Sequence, residues 1–170
     1  GLTGKEPELI EEMQKYKLYW LGVTETKMKG SGIKNIHNNH ILFYSGVPNE
    51  EWARGGVGFI IHEGHKDKIR SWSFIDERIL AVDMKMYNDM DVRIIVIYGP
   101  NENATKEEKD KFFENLQEVT EEANGEVIIT GDFNGRVGSD AQRWMGVIGT
   151  HGENTINGNG KRILEFGLNN

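Results

Sequence analysis

EVIITGDFNGRVG, residues 126–138, decides the fold. Val127, Ile128 and Ile129 form a β-branched run of the kind that fills a strand buried on both faces of a sheet. Gly131, Asp132, Asn134 and Gly135 follow at once, so an apolar strand delivers a carboxylate and an amide at its end and then turns. Polar groups at the mouth of a buried strand are held rigidly, which is what a chemical site requires.

Two other stretches share this design. LYWLGVTETK (18–27) is an apolar strand that turns polar at Thr24, Glu25 and Lys27, and DVRIIVIYGP (91–100) ends in Tyr98 before a Gly-Pro turn. In an extended chain residues two apart share a face, so Asp132 and Asn134 are expected to point together, as are Glu25 and Lys27. If the strand ends meet at one rim, they form a pocket.

The remaining pattern alternates helices and strands. Leu9, Ile10, Met13 and Tyr16 mark one face of a first helix, which opens near Pro7 and several acids. HILFYSGV (40–47) and GGVGFIIH (55–62) read as strands around a turn carrying Pro48 and Asn49. RILAVDMKM (78–86) and the strand ending at Tyr98 flank YNDMD (87–91), a hairpin signal. Thr105 and Glu108 make a capping box for a helix bearing Phe112, Phe113, Leu116, Val119 and Ala123, with Gly125 as its stop. GKRILEFGLNN (160–170) starts another amphipathic helix.

With 170 residues and 37% hydrophobic content, one globular domain with a substantial core is expected. The absence of cysteine removes disulfides, thiolate metal sites and cysteine nucleophiles, so any metal must be held by oxygen or histidine. No long apolar run or signal segment is visible, and the expectation is an intracellular chain, nuclear or cytoplasmic, with no membrane association. A net charge of −7 argues against a generic nucleic-acid binder, yet residues 102–122 hold eight acids and three lysines, so the acidity belongs mostly to one helix.

The chemistry available at the strand ends is constrained. The Glu25 carboxylate suits Mg²⁺, which keeps several waters and takes one or two protein carboxylates; Mn²⁺ is the alternative. Asp132 can orient or deprotonate an attacking water, while Tyr98 and Asn134 can donate hydrogen bonds to phosphate oxygens. That combination describes phosphoester hydrolysis. Taken singly, a strand ending in Gly-Asp is more often a turn capped by an Asp side chain.

Taken together, VTETK (23–27), IYGPN (97–101) and GDFN (131–134), in this order, resemble the endonuclease/exonuclease/phosphatase superfamily. ARGGVGFI, GDFNGRVG and NGNGKRILEF are most similar to the endonuclease domains of non-LTR retrotransposons and to craniofacial development protein 2-like proteins. The resemblance implies an α/β fold: a four-layered sandwich of two packed mixed β-sheets flanked by helices. It implies Glu25 as the Mg²⁺ ligand, Lys27 as the neighbour that helps hold it, Tyr98 on the phosphate and Asn101 beside the nucleic-acid backbone. Asp132 would position the nucleophilic water and Asn134 would bind the scissile phosphate.

The family pattern also has an N-terminal strand bearing an Asn and a C-terminal Ser-Asp-His segment. Residues 1–170 are therefore expected to form one incomplete domain, truncated at both ends and nearly inactive alone. His151, in a Gly-rich loop, is read as a surface residue rather than a substitute for that histidine. Arg136, with Arg54, Arg143, Lys161 and Arg162, is a candidate to track phosphates, against the alternative that scattered cations dress any soluble surface. Trp52 and Trp144 are each either a stacking platform or a core residue.

Other signals carry less. HEGH (62–65) has the wrong spacing for a zinc helix and reads as a loop. GGVG (55–58) lacks the setting of a dinucleotide fingerprint and reads as close backbone packing at a strand start. A calcium loop around Gly160 would place Phe166 where a bidentate Glu is needed, and Asn103-Ala104-Thr105 uses its Thr as a helix cap.

Three functions compete. The first is a Mg²⁺-dependent endonuclease that nicks DNA, of retroelement origin, with a reverse transcriptase domain as companion. The second is a phosphatase of small or lipid phosphoesters, and the third is a host-adopted binding protein that keeps the fold without the chemistry.

Overall fold

A computed structural model describes residues 1–170. The chain forms two compact units, residues 1–98 with 122–132, and residues 99–121 with 133–170.

The first unit contains α1 (Glu6–Lys15), β1 (Trp20–Thr24), β2 (Ser31–Ile36), β3 (His40–Ser45), β4 (Val57–His62), β5 (Ile69–Asp76), β6 (Ile79–Lys85), β7 (Asp91–Tyr98) and β8 (Glu126–Asp132). Two four-stranded sheets result, ordered β1-β4-β3-β2 and β5-β6-β7-β8. The first is antiparallel throughout; the second is antiparallel except for the parallel pair β7–β8.

Alternation explains how the sheets pack. Ile41, Phe43, Val57, Phe59 and Ile61 from the first sheet meet Leu80, Val82, Met84, Val92, Ile94 and Val96 from the second in one buried cluster. The residues between them, Leu42 and Ile60, face the other way and pack with Leu2 and Met13, so α1 covers the outer face of the first sheet. β3 and β4 read as unbroken apolar runs because both of their faces are covered. Each fully buried Phe or Ile contributes roughly 1.5–3 kcal/mol, so this double layer dominates the stability of the unit.

β8 departs from expectation. It is the edge strand of its sheet, with β7 as its one partner, and it is half-buried, with Ile128 40% exposed. A β-branched run shows strand propensity but does not distinguish a central strand from an edge strand with one covered face. β2 and β5 leave almost no sequence signal, since β2 alternates exposed and half-buried residues and β5 is mostly exposed with two register irregularities. β3 and β4 are antiparallel neighbours joined by residues 46–56, and Pro48 and Asn49 stand there in a turn closed by the Glu51 amide on the Pro48 carbonyl at 3.0 Å.

The hairpin is as expected: Lys85 pairs with Asp91, and Asn88 and Asp89 take the left-handed conformation that short polar side chains tolerate. HEGH lies in a short 3₁₀ segment, Glu63–Lys68, where His62 accepts from the Gly64 amide at 3.0 Å, and no group of three metal-ligating side chains occurs anywhere in the chain.

The second unit contains α2 (Lys106–Glu121) and α3 (Gly158–Asn169). The capping box is present: the Thr105 amide donates to the Glu108 carboxylate at 2.9 Å, and the Glu108 amide donates to the Thr105 hydroxyl at 3.2 Å. α2 stops at Glu121, before Gly125. Gly125 serves β8 instead, lying so close to the Asp91 carbonyl that a Cβ would collide with it. α3 begins two residues before the expected start, capped by the Asn157 side chain, which accepts from the Gly160 amide at 2.8 Å. Phe113 and Phe166 pack at 6.3 Å and Arg162 bonds Asp110 at 2.6 Å, holding the two helices together. The α/β class of two packed sheets with helices is thus the observed one. No helix is long and apolar enough to cross a membrane.

Candidate active site

In the first unit the site is built from three strand ends. β1 stops at Thr24, and Glu25 and Lys27 then both adopt left-handed backbone, φ 53° and 54°. The expectation that they share a face through extended alternation therefore fails, because neither residue is extended. Between them Thr26 is buried, with its amide on the Gly56 carbonyl at 3.2 Å, while the Lys27 amide bonds the Gly55 carbonyl at 2.8 Å. Gly56, itself at φ 87°, leaves room for the Thr26 hydroxyl where a Cβ would stand, and a Cβ on Gly55 would touch the Tyr98 ring at 3.7 Å. The GG pair ahead of β4 thus shapes the turn that carries Glu25.

Tyr98 closes this arrangement by donating its hydroxyl to the Glu25 carboxylate at 3.1 Å. Its backbone is clamped by Arg78: the Tyr98 amide donates to the Arg78 carbonyl at 2.9 Å and the Arg78 guanidinium donates back to the Tyr98 carbonyl at 3.2 Å. Asp132 lies directly opposite Tyr98 in the parallel β7–β8 ladder. Laterally paired residues face the same side, and Val92, Ile94 and Val96 show that this side is the inter-sheet one. Glu25, Tyr98 and Asp132 therefore gather at one end of the space between the sheets. Gly131 permits it, since a Cβ there would run into the Ile97 carbonyl.

Four histidines of this unit, His37, His40, His62 and His65, stand at the opposite end. The β1–β4 register sets Thr24 against Val57 and Trp20 against Ile61, and the β2–β3 turn lies at the Ile36–His40 end.

The second unit carries the other three candidates. Asn134, at φ 50°, donates its amide to the Gly99 carbonyl at 2.8 Å. Asn101 is exposed, with its carbonyl in a turn that accepts from Ala104 at 2.9 Å. The Arg136 guanidinium sits 3.4 Å from Glu153, and its backbone is held by both the amide and side chain of Asn157. As Asn134 is left-handed, the alternation argument for Asp132 and Asn134 also fails.

Sequence reasoning missed the residue that ties this second set together. Asn159 is 1% exposed, and its amide nitrogen donates to the carbonyls of Pro100 at 2.8 Å and Asn134 at 2.9 Å. Beside it the Glu102 carboxylate accepts from the amides of Gly158 at 3.0 Å and Asn159 at 2.9 Å. The Asn159 amide foremost, then the Gly158 amide and the Lys109 ammonium, hold Glu102 below the usual carboxylate range. Lys109 also donates to the Glu102 carbonyl. The available signal was the NGNG run before an amphipathic helix, which marks a helix start that needs an acceptor.

The first unit thus sets polar residues at one end of two face-to-face sheets. In sequence the chain is similar to craniofacial development protein 2 of Bos taurus, 30% identical over 168 residues, and of Tragulus javanicus, 28% identical over 168 residues. Each match covers 96% of this chain, which spans only 27% and 28% of those relatives. Among solved structures it is similar to D. rerio TDP2 complexed with single-strand DNA product, with a TM-score of 0.54 at 15% identity over 80% of this chain and 54% of that one. A humanized D. rerio TDP2 with 14 mutations gives a TM-score of 0.53 at 14% identity, covering 83% and 58%. At such identities these two establish the fold alone. No family model matches the chain.

Proposed function

We propose that this chain carries the phosphodiester-hydrolysing site of a Mg²⁺-dependent endonuclease that nicks DNA, of retroelement origin. The observation that carries the reading is the Tyr98–Glu25 hydrogen bond with Asp132 paired across the ladder from Tyr98. Glu25, an exposed carboxylate at this rim, suits a hard cation that keeps several of its waters. Mg²⁺, or Mn²⁺ in its place, held at Glu25 would polarise a phosphoryl oxygen. Tyr98, whose hydroxyl donates to Glu25, would donate to a phosphate oxygen when substrate is bound. Asp132 takes the proton of a water that attacks phosphorus as the ester P–O bond breaks. Lys27 steadies the Glu25 turn, and in the second unit Asn134, Asn101 and Arg136 are assigned as contacts to the nucleic acid.

The four histidines of the first unit stand at the other end of its sheets, so none of them protonates the leaving oxygen. A reverse transcriptase in the same polypeptide would accompany a retroelement origin. The test is nicking of supercoiled DNA with Mg²⁺ and with chelator. Slow, chelator-sensitive nicking lost in Asp132→Ala supports the reading, and nicking indifferent to that substitution refutes it. A small phosphoester is the second reading, since Glu25, Tyr98 and Asp132 would serve its hydrolysis equally. Turnover of inositol phosphates without DNA binding would select it.

A further inference from the structure

Trp52 is 92% exposed, which removes its reading as a core residue. It sits in the loop 46–56, which runs from the end of β3 to the start of β4 at the same end as Glu25. The loop is braced. Gly30 donates to the Val47 carbonyl at 2.7 Å, the Lys29 ammonium to the Asn49 carbonyl at 3.1 Å and Glu51 to the Pro48 carbonyl at 3.0 Å. Arg54 bonds Glu51 at 2.7 Å and lies 3.8 Å from Glu77. A fully solvated indole is therefore presented on an ordered support, and contact with it costs little loop entropy.

Its position relative to the site follows from the chain. Gly55 lies against the Tyr98 ring, and Trp52 is three residues away, a reach of about 10 Å at most. That reach is about three base steps along a strand. A polynucleotide strand held at Glu25 and Tyr98 is long enough to reach the indole, and its unpaired bases carry the flat faces that an indole stacks on. The charge around the loop is mixed, Lys27, Lys29 and Arg54 against Glu50, Glu51 and Glu77, so phosphate attraction alone would not account for a strand's contact here. Stacking would, because every base presents a π-face to an exposed aromatic ring.

We propose that Trp52 is a stacking platform for an unpaired nucleobase within about three base steps of the scissile phosphate, which makes the substrate a polynucleotide strand. The proposal rests on the nuclease reading of Glu25, Tyr98 and Asp132, and its test reads binding rather than turnover. The chain has four tryptophans, so the indole N–H resonance lost in Trp52→Phe assigns Trp52. An oligothymidylate and an abasic strand of equal length and charge are then titrated in turn.

The expected result is a Trp52 shift with the oligothymidylate and none with the abasic strand. Trp52→Ala should weaken oligothymidylate binding about 5- to 150-fold, the range of one base–aromatic stack, and Trp52→Phe should retain most of it. This loss should persist at high salt. A Trp52 resonance unmoved at saturation, moved equally by the abasic strand, or moved by chain concentration without nucleic acid overturns the proposal, as does absence of any oligothymidylate binding. If Asp132→Ala abolishes nicking while Trp52 is indifferent, the stacking role alone falls. If stacking is seen and nicking ignores Asp132, the catalytic reading alone falls.

Discussion

The Tyr98 hydroxyl, at the end of β7, donates to the carboxylate of Glu25, which follows β1 on the other sheet, at 3.1 Å. A bond between side chains 73 positions apart joins the two sheets at the rim where Asp132 also stands. Tyr98→Phe keeps the ring packing and deletes this bond. It should cost no more than about 1 kcal/mol in a urea melt, since the pair is solvent-exposed. Nicking, by contrast, should fall roughly 10- to 100-fold, as one donor to the developing charge is lost.

Glu25→Gln removes the carboxylate but keeps a polar side chain of the same length. Mn²⁺ bound to the chain, read by electron paramagnetic resonance, should be lost in this variant and retained in Tyr98→Phe. Equal Mn²⁺ binding by wild type and Glu25→Gln would remove Glu25 as the ligand.

Asn159 holds the carbonyls of Pro100 and Asn134 with one buried amide. Asn159→Ala leaves both acceptors without that donor and should destabilise the chain by about 2–3 kcal/mol in urea denaturation. Asn159→Asp should be at least as damaging, because a carboxylate cannot donate and faces two carbonyl oxygens. A change below about 0.5 kcal/mol in both variants would show that the tie is not needed.

Glu102 gives a pH dependence with a definite sign. Its folded pKa lies below its unfolded value, held down by the Asn159 and Gly158 amides and by Lys109. Its stabilising contribution is complete above the ordinary Glu range, about pH 4–5, and is lost as pH falls through the depressed folded value. The melting temperature of wild type should drop more steeply between about pH 5 and pH 3 than that of Glu102→Gln. Parallel profiles would refute the role of this cap.

What was legible in the sequence was local. Thr105 and Glu108 announce a capping box because both partners lie within one helical turn, and Asn88-Asp89 announces a hairpin because left-handed backbone selects such residues. The polar ends of β1, β7 and β8 were visible as breaks in apolar runs, and those of the first unit do converge. What escaped depends on distant partners. β2 and β5 carry too many exposed residues to show a pattern, and β8 could not reveal that it lacks a second neighbour. Arg78 and Asn159 act through backbone carbonyls, a role that no residue type advertises. The alternation argument for Glu25 and Lys27 failed because the turn reverses the sign of φ at both residues.

That turn offers a way to tell working relatives from retired ones. Left-handed backbone is most comfortable for glycine and tolerable for asparagine, so a glutamate and a lysine two positions apart in one such turn stand there against local preference. A homologue freed from the need for a carboxylate and a cation would drift toward glycine or asparagine at these two positions while its core stayed intact. If Glu25 and Lys27 carry the chemistry proposed for them, the residues at these two positions across lineages would record where it has been preserved and where only the scaffold has survived.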